Sequence, residues 1–143
     1  MLFRSDRAQA AVPGAKVLTR DIRDPFPVEG QSVIAVVASL SLHYFTWQDT
    51  EYVVQRIHDI LMPGGLFLCR LNSTKDHNFG ASGHRELEKN YYLVQGQPKR
   101  FFDKDAIDSL FAFGWRTLSL DQQTTGKYGR PKALWEIILA KDA

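Results

Sequence analysis

Fourteen residues, Ser32 to Phe45 ("SVIAVVASLSLHYF"), constrain this chain most. The run is continuously apolar and β-branched through its first half, so both faces of the strand it forms need burial. That marks a central parallel strand rather than the edge of a half-solvated sheet. A helix follows directly. Thr46 is placed to cap it, with Asp49 three residues on as a variant of the capping box. Val53, Val54, Ile57, Ile60 and Leu61 form its apolar stripe at helical spacing. Pro63-Gly64-Gly65 ends it, and "LFLCRL" (Leu66–Leu71) reads as the next strand. Strand, helix and strand make a βαβ unit, which expects a right-handed crossover.

The rest of the chain fits around this unit as one domain spanning residues 1–143. Arg7 to Val12 reads as the end of a helix closed by Pro13-Gly14. "AKVLTRD" (Ala15–Asp21) reads as a short strand, and "IRDPFPVEGQ" as a polar loop whose prolines forbid a long helix. After the βαβ unit comes a polar loop to Gly83, then "HRELEKNYYLV", with helical character at its start, and an extended "KRFF". Asp103 caps a helix reaching Phe113, with Gly114 at its end. "WRTLSLD" and "ALWEIILA" are strands whose short connection makes them antiparallel.

Composition excludes several classes. Apolar residues make up 44% and charged residues 24%, ordinary for a globular protein. A net charge of +2 is too small to argue for nucleic acid, and no nucleic-acid partner is expected. The longest apolar run is far short of a membrane span, and a secretory signal is not apparent at the N-terminus. Cys69 is the single cysteine, which excludes an intrachain disulfide and a cysteine metal cluster and suits a cytoplasmic setting. His77 and His84 lack a third nearby ligand, so no metal site is expected. "GASGH" at Gly80 is read as a flexible loop, because no strand runs into it.

In open α/β sheets, ligands bind beyond the carboxyl ends of the strands. That rule selects Asp21-Ile22, Ser39–Tyr44, Leu71–Ser73 and the loop Thr124–Lys132. Lys99 and Arg100 are placed to recognise an acidic group on a ligand, or else lie on a solvated surface.

"LTRDI", "VIAVVASLSLHYF", the helix into "LMPGG", "LFLCRLNS" and the terminal antiparallel pair follow one another in an order that resembles class I S-adenosylmethionine-dependent methyltransferases. The small-molecule, tellurite-resistance-type branch of that family is the most similar. The resemblance implies a Rossmann-like α/β fold, with a mostly parallel sheet and a C-terminal antiparallel strand pair. It implies S-adenosyl-L-methionine as cofactor and a small-molecule methyl acceptor. Asp21 and Ile22 then match the family's adenine-side residues, and Ala38, Ser39 and Leu40 the strand end under the methionine portion. His43 is the candidate catalytic residue, either orienting or deprotonating a nucleophile, or else a satisfied wall residue. Tyr44, Arg70, Asn72, Lys99 and Arg100 are the candidate acceptor contacts.

The sequence departs from the family in two places. It carries no glycine-rich turn and no acidic residue after a second strand, so strands 1 and 2 of the family order 3-2-1-4-5-7-6 are expected to be absent. "SVIAVV" puts Val33 and Ile34 where an acidic start is common. Loss of those strands leaves the central strand with a bare edge. The expectations that follow are a homodimer, an exchanged segment or a partner chain at that edge. A catalytically silent α/β interaction module is the alternative reading.

Overall fold

In the computed structural model, which describes residues 4–143, helix α1 (Arg4–Ala11) leads into a long non-regular segment before the apolar run. That run becomes strand β1 (Val33–Ser39). Helix α2 (Trp47–Ile60) follows, its first turn capped by the Thr46 hydroxyl, which accepts from the Asp49 N–H at 3.1 Å. Its stripe of Thr50, Val53, Val54 and Ile57 is buried. The helix stops at Ile60, because Leu61 is already extended, and strand β2 (Leu61–Asn72) runs from there. Gly65 is needed in this passage, since a Cβ there would stand 2.8 Å from the Met62 carbonyl oxygen.

"HRELEKNYYLV" is not helical. It forms β3 (Arg85–Glu88) and β4 (Tyr91–Val94), which with β5 (Gln97–Arg100) make a small antiparallel sheet in the order β3-β4-β5. The turns decide this. Asn90, Gln95 and Gly96 all take positive φ, the conformation of tight hairpins, which a helix cannot use. Helix α3 (Lys104–Leu110) is capped by Asp103, whose carboxylate accepts from the Ala106 N–H at 2.8 Å. Strands β6 (Trp115–Thr125) and β7 (Lys132–Lys141) close the chain.

The main sheet has the order β1-β2-β7-β6. β1 pairs parallel with β2, while β2–β7 and β7–β6 are antiparallel. This is the 4-5-7-6 half of the expected order. The expected strand at Ala15–Asp21 is not formed, and those residues are non-regular. Strand propensity alone is not enough there, because no neighbouring backbone pairs with them.

One face of the sheet carries the core. Phe67, Cys69 and Leu71 of β2 and Trp135, Ile137 and Leu139 of β7 pack against α2 and α3. The other face is only partly covered, with Val37 70% exposed and Leu66 and Leu118 also open. β1 is an edge strand, and Ile34 is 74% exposed. The bulge between Val33 and Ala35 turns Ile34 outward and leaves Val33, Val36 and Ala38 facing α2.

Candidate functional site

The outlets of β1 and β2 lie side by side, because the parallel register pairs Ala38 with Cys69 and Ser39 with Arg70. Beyond Ser39 the chain turns sharply. Leu40 takes a left-handed φ of 54°, and its N–H donates to the Arg70 carbonyl at 3.0 Å. The turn carries His43 and Tyr44 over the end of β2, where Asn72 is fully buried. A cavity of about 200 Å³ opens there, and His43, Tyr44, Asn72, Lys99, Tyr128 and Lys132 are among its walls, with Leu40 and Phe79. Other grooves are larger, including one of about 360 Å³ between β5 and α3. The 200 Å³ cavity is the one at the strand outlets, where residues from five separate segments converge.

Its floor is a buried polar network. Lys132 Nζ donates to Asp76 at 2.6 Å and to Asn72 Oδ1 at 2.9 Å. The second Asp76 oxygen accepts from the Ala133 N–H at 3.1 Å, and Asn72 Nδ2 donates to the Arg100 carbonyl at 3.3 Å. Every partner of Asp76 is thus a donor, as a buried carboxylate requires.

Lys99 enters from β5. Its ammonium donates to the Phe79 carbonyl at 3.0 Å. Burial and the neighbouring Lys132 hold its pKa below the usual lysine value, against the pull of Asp76. His43 is 3% exposed, and its Nδ1 is a buried polar atom without a hydrogen-bond partner among the described residues. Burial, reinforced by Lys99 and Lys132, pushes its pKa from the usual imidazole range down to about 3. The sequence suggests a near-neutral imidazole. The fold makes it a neutral hydrogen-bonding group and a weak base at physiological pH.

A second, apolar groove of about 300 Å³ runs along the core side of β1. Ile22 and Phe26 from the loop before β1 face Ala38, Ser41 and Leu42 across it. Asp21 precedes Ile22, and both of its carboxylate oxygens accept from Arg23, at 3.0 and 2.7 Å. Those bonds lower its pKa to about 2, so it is a carboxylate at any physiological pH.

The remaining expected site residues are dispersed. Arg70 sits on the opposite sheet face, paired with Glu136 at 3.0 Å, and Ser39 lies beside it in a groove there. Arg100 is 3% exposed and points away from the cavity, because neighbours in a strand face opposite sides. Its guanidinium donates to the Phe45 and Lys89 carbonyls and pairs with Glu88 at 2.5 Å. Its N–H donates to the His43 carbonyl at 2.7 Å. Lys132, in the loop selected as a strand outlet, and Phe79, which nothing in the sequence singled out, complete the cavity. Among the described residues no group of three His, Cys, Asp or Glu is arranged to hold a metal ion, and no helix is long and apolar enough to cross a membrane.

Comparison with known proteins bears on the fold. Residues 2–69 match the sequence family described as a methyltransferase domain. No curated protein matches the sequence. Among solved structures, an S-adenosylmethionine-dependent methyltransferase of Methanosarcina mazei superposes with a TM-score of 0.73 at 11% identity, over 94% of this chain and 76% of that one. The 1,6-didemethyltoxoflavin-N1-methyltransferase of Burkholderia thailandensis, solved with 1,6-didemethyltoxoflavin and S-adenosylhomocysteine, gives 0.72 at 14% identity, over 99% of this chain and 59% of that one. The N-methyltransferase NodS of Bradyrhizobium japonicum, solved with S-adenosylhomocysteine, gives 0.66 at 10% identity, over 96% and 61%. The chain therefore spans about three-fifths of the length of the latter two.

Proposed function

We propose that this chain, whose fold is that of class I S-adenosylmethionine-dependent methyltransferases, belongs to an enzyme that methylates a small molecule in a cytoplasmic setting. The observation that carries the reading is the adjacency of two recesses at the strand outlets. The apolar groove is lined by Ile22, Phe26 and Ala38, and the polar cavity by His43, Tyr44, Asn72 and Lys99. Leu40, Ser41 and Leu42 join them in sequence.

The residues present fit the nucleoside end of the cofactor. A groove of about 300 Å³ is at the low end of what ligand sites enclose. Ile22 and Phe26 offer an apolar face for the adenine, and the Asp21 carboxylate stands next to them as an acceptor once Arg23 yields one of its bonds. Ala38 and Leu40 would run beneath the methionine portion, while Ser39 opens to the other face of the sheet. The bound cofactor would supply an activated methyl on a sulfonium sulfur.

The chain's own groups then have positioning work to do. His43, neutral at physiological pH, holds the acceptor's nucleophile by a hydrogen bond rather than taking its proton. Tyr44 packs against His43 at a tilt, with ring centroids 4.2 Å apart, and forms the neighbouring wall. Asn72 is locked by Lys132 and Arg100, so its amide orients the cavity floor. Alignment of this kind is where most of the acceleration in such a transfer arises.

Calorimetry with S-adenosylmethionine and S-adenosylhomocysteine tests the reading. Saturable binding by a folded sample is expected, and Phe26→Asp should abolish it. Failure of a folded sample to bind either compound overturns the proposal. A second reading, a non-catalytic α/β module that pairs through its edge, is favoured by the exposure of Ile34 and Val37 on β1. Concentration-dependent dimerisation without cofactor binding would support it.

A further inference from the structure

The charges at the cavity do not cancel. Lys99 and Lys132 both face it, and among the described residues the carboxylate that acts on them is Asp76. Asp76 is fully engaged by Lys132 and the Ala133 N–H. One positive charge is left over, and it belongs to Lys99, whose protein acceptor is a single neutral carbonyl, that of Phe79. A half-buried ammonium with so little compensation is costly unless an anion completes it. An independent observation points the same way. His43 Nδ1 is buried without a partner, although its ring lines the same cavity, and such atoms in native interiors call for a partner that is not protein. A turn about the ring's terminal torsion presents either nitrogen to the cavity.

The walls specify the rest of the ligand. Tyr44, Phe79 and Tyr128 are all aromatic, and Phe79 and Tyr128 stand edge to face at 6.4 Å between centroids. At about 200 Å³ the space is smaller than a drug-sized ligand fills, which leaves room for a single ring. Phosphate sites are typically built from helix N-termini or arginine forks, and neither lines this cavity. We infer that the cavity receives an aromatic carboxylate of one-ring size, its carboxylate on Lys99 and its ring between Tyr44, Phe79 and Tyr128. This rests on the methyl-transfer reading only in making that carboxylate part of the methyl acceptor.

The test is an NMR titration of the whole chain at pH 7.5, following the His43 ring signals, with benzoate, benzamide and inorganic phosphate as probes. Benzoate should shift those signals saturably, and benzamide, of the same shape without the charge, should bind at least tenfold more weakly. Lys99→Met should weaken benzoate at least tenfold and leave benzamide unchanged, while Lys99→Arg retains the preference. The Met side chain keeps the stem of Lys99, and a dispersed amide spectrum shows whether the variant folds. The comparison of benzoate with benzamide on the unmodified chain stands whether it does or not. Equal affinity for benzoate and benzamide, indifference to Lys99→Met, or displacement of benzoate by equimolar phosphate overturns the inference. Calorimetry with S-adenosylhomocysteine on the same sample separates the two proposals. Cofactor binding without anion preference sinks this inference alone. Anion preference without cofactor binding sustains it and removes the methyl-transfer reading.

Discussion

Replacing Asp76 by asparagine keeps the shape of the side chain and removes one buried charge. The Asp76 side chain is completely enclosed and that of Lys132 is 7% exposed, so neither charge is screened by water. After the substitution the Lys132 ammonium stays in place with amide oxygens in place of a carboxylate. Breaking a buried pair from one side in this way costs about 3–5 kcal/mol. A domain of this size has roughly 5–15 kcal/mol of stability in total. Each kcal/mol corresponds to about 2–4 °C in Tm at this length, so a drop of roughly 6–20 °C is expected. Lys132→Met alone should cost a similar amount, since it strands the carboxylate instead. The double variant leaves no charge behind and should recover most of the loss, giving a coupling of at least about 2 kcal/mol. Urea unfolding followed by fluorescence of the three tryptophans measures all four corners of the cycle. A cost for Asp76→Asn below about 1 kcal/mol, or a double variant as unstable as the two singles summed, would refute the reasoning.

Four further outcomes are expected. His43 stays neutral in the folded chain down to about pH 3, whereas its unfolded value is 6.5. Its contribution is therefore complete above pH 6.5 and shrinks as the pH falls toward 3, by about 2 kcal/mol at pH 5; urea midpoints across that range should show this slope, and His43→Gln should flatten it. Gly114→Ala places a Cβ 2.7 Å from His58 Nε2 at a φ of 82° and should cost at least about 1 kcal/mol more than Gly83→Ala, where φ is similar but space is open. NMR titration should find the Asp21 carboxyl near 2, and Arg23→Ala should return it toward 3.8. Gel filtration at micromolar concentration should show self-association through β1, which the double substitution of Ile34 and Val37 by lysine abolishes; a well-folded monomer before substitution would count against the bare edge as an interface.

The sequence carried its local information well. The β-branched run and the Thr46 cap are short-range signals, and the structure builds a strand and a helix start there, whereas Pro63-Gly64-Gly65, expected to end the helix, lies inside β2 because the backbone is already extended at Leu61. Asp103 did the same for the start of α3, while the helix stops at Leu110 instead of reaching Phe113 and Gly114. Signals that depend on distant partners were not legible. Ala15–Asp21 has strand-like composition, yet a strand exists only beside another. The β3–β4 hairpin was hidden by its charged start, although Asn90 is the residue that turns it and Gln95-Gly96 turns the next hairpin, β4–β5. Lys99 and Arg100 looked like a pair because they adjoin in sequence, and strand alternation separates them. The depressed pKa of His43 arises first from its burial by the folded chain and then from ammoniums 56 and 89 residues away in sequence, none of which a spacing rule connects.

Arg100 has one more effect. Through its N–H on His43 and its guanidinium on Phe45, it rivets the small sheet to the polypeptide leaving β1, and Lys99 rides on the same strand. That side of the cavity is consequently a rigid jaw. Admission of a guest falls to the facing side, where Tyr128 sits in a bend flanked by Gly126 and Gly129, neither of which has any atom within 4 Å of where a Cβ would stand. Stiffening that bend should slow entry and exit of a guest while leaving the fixed jaw as it is.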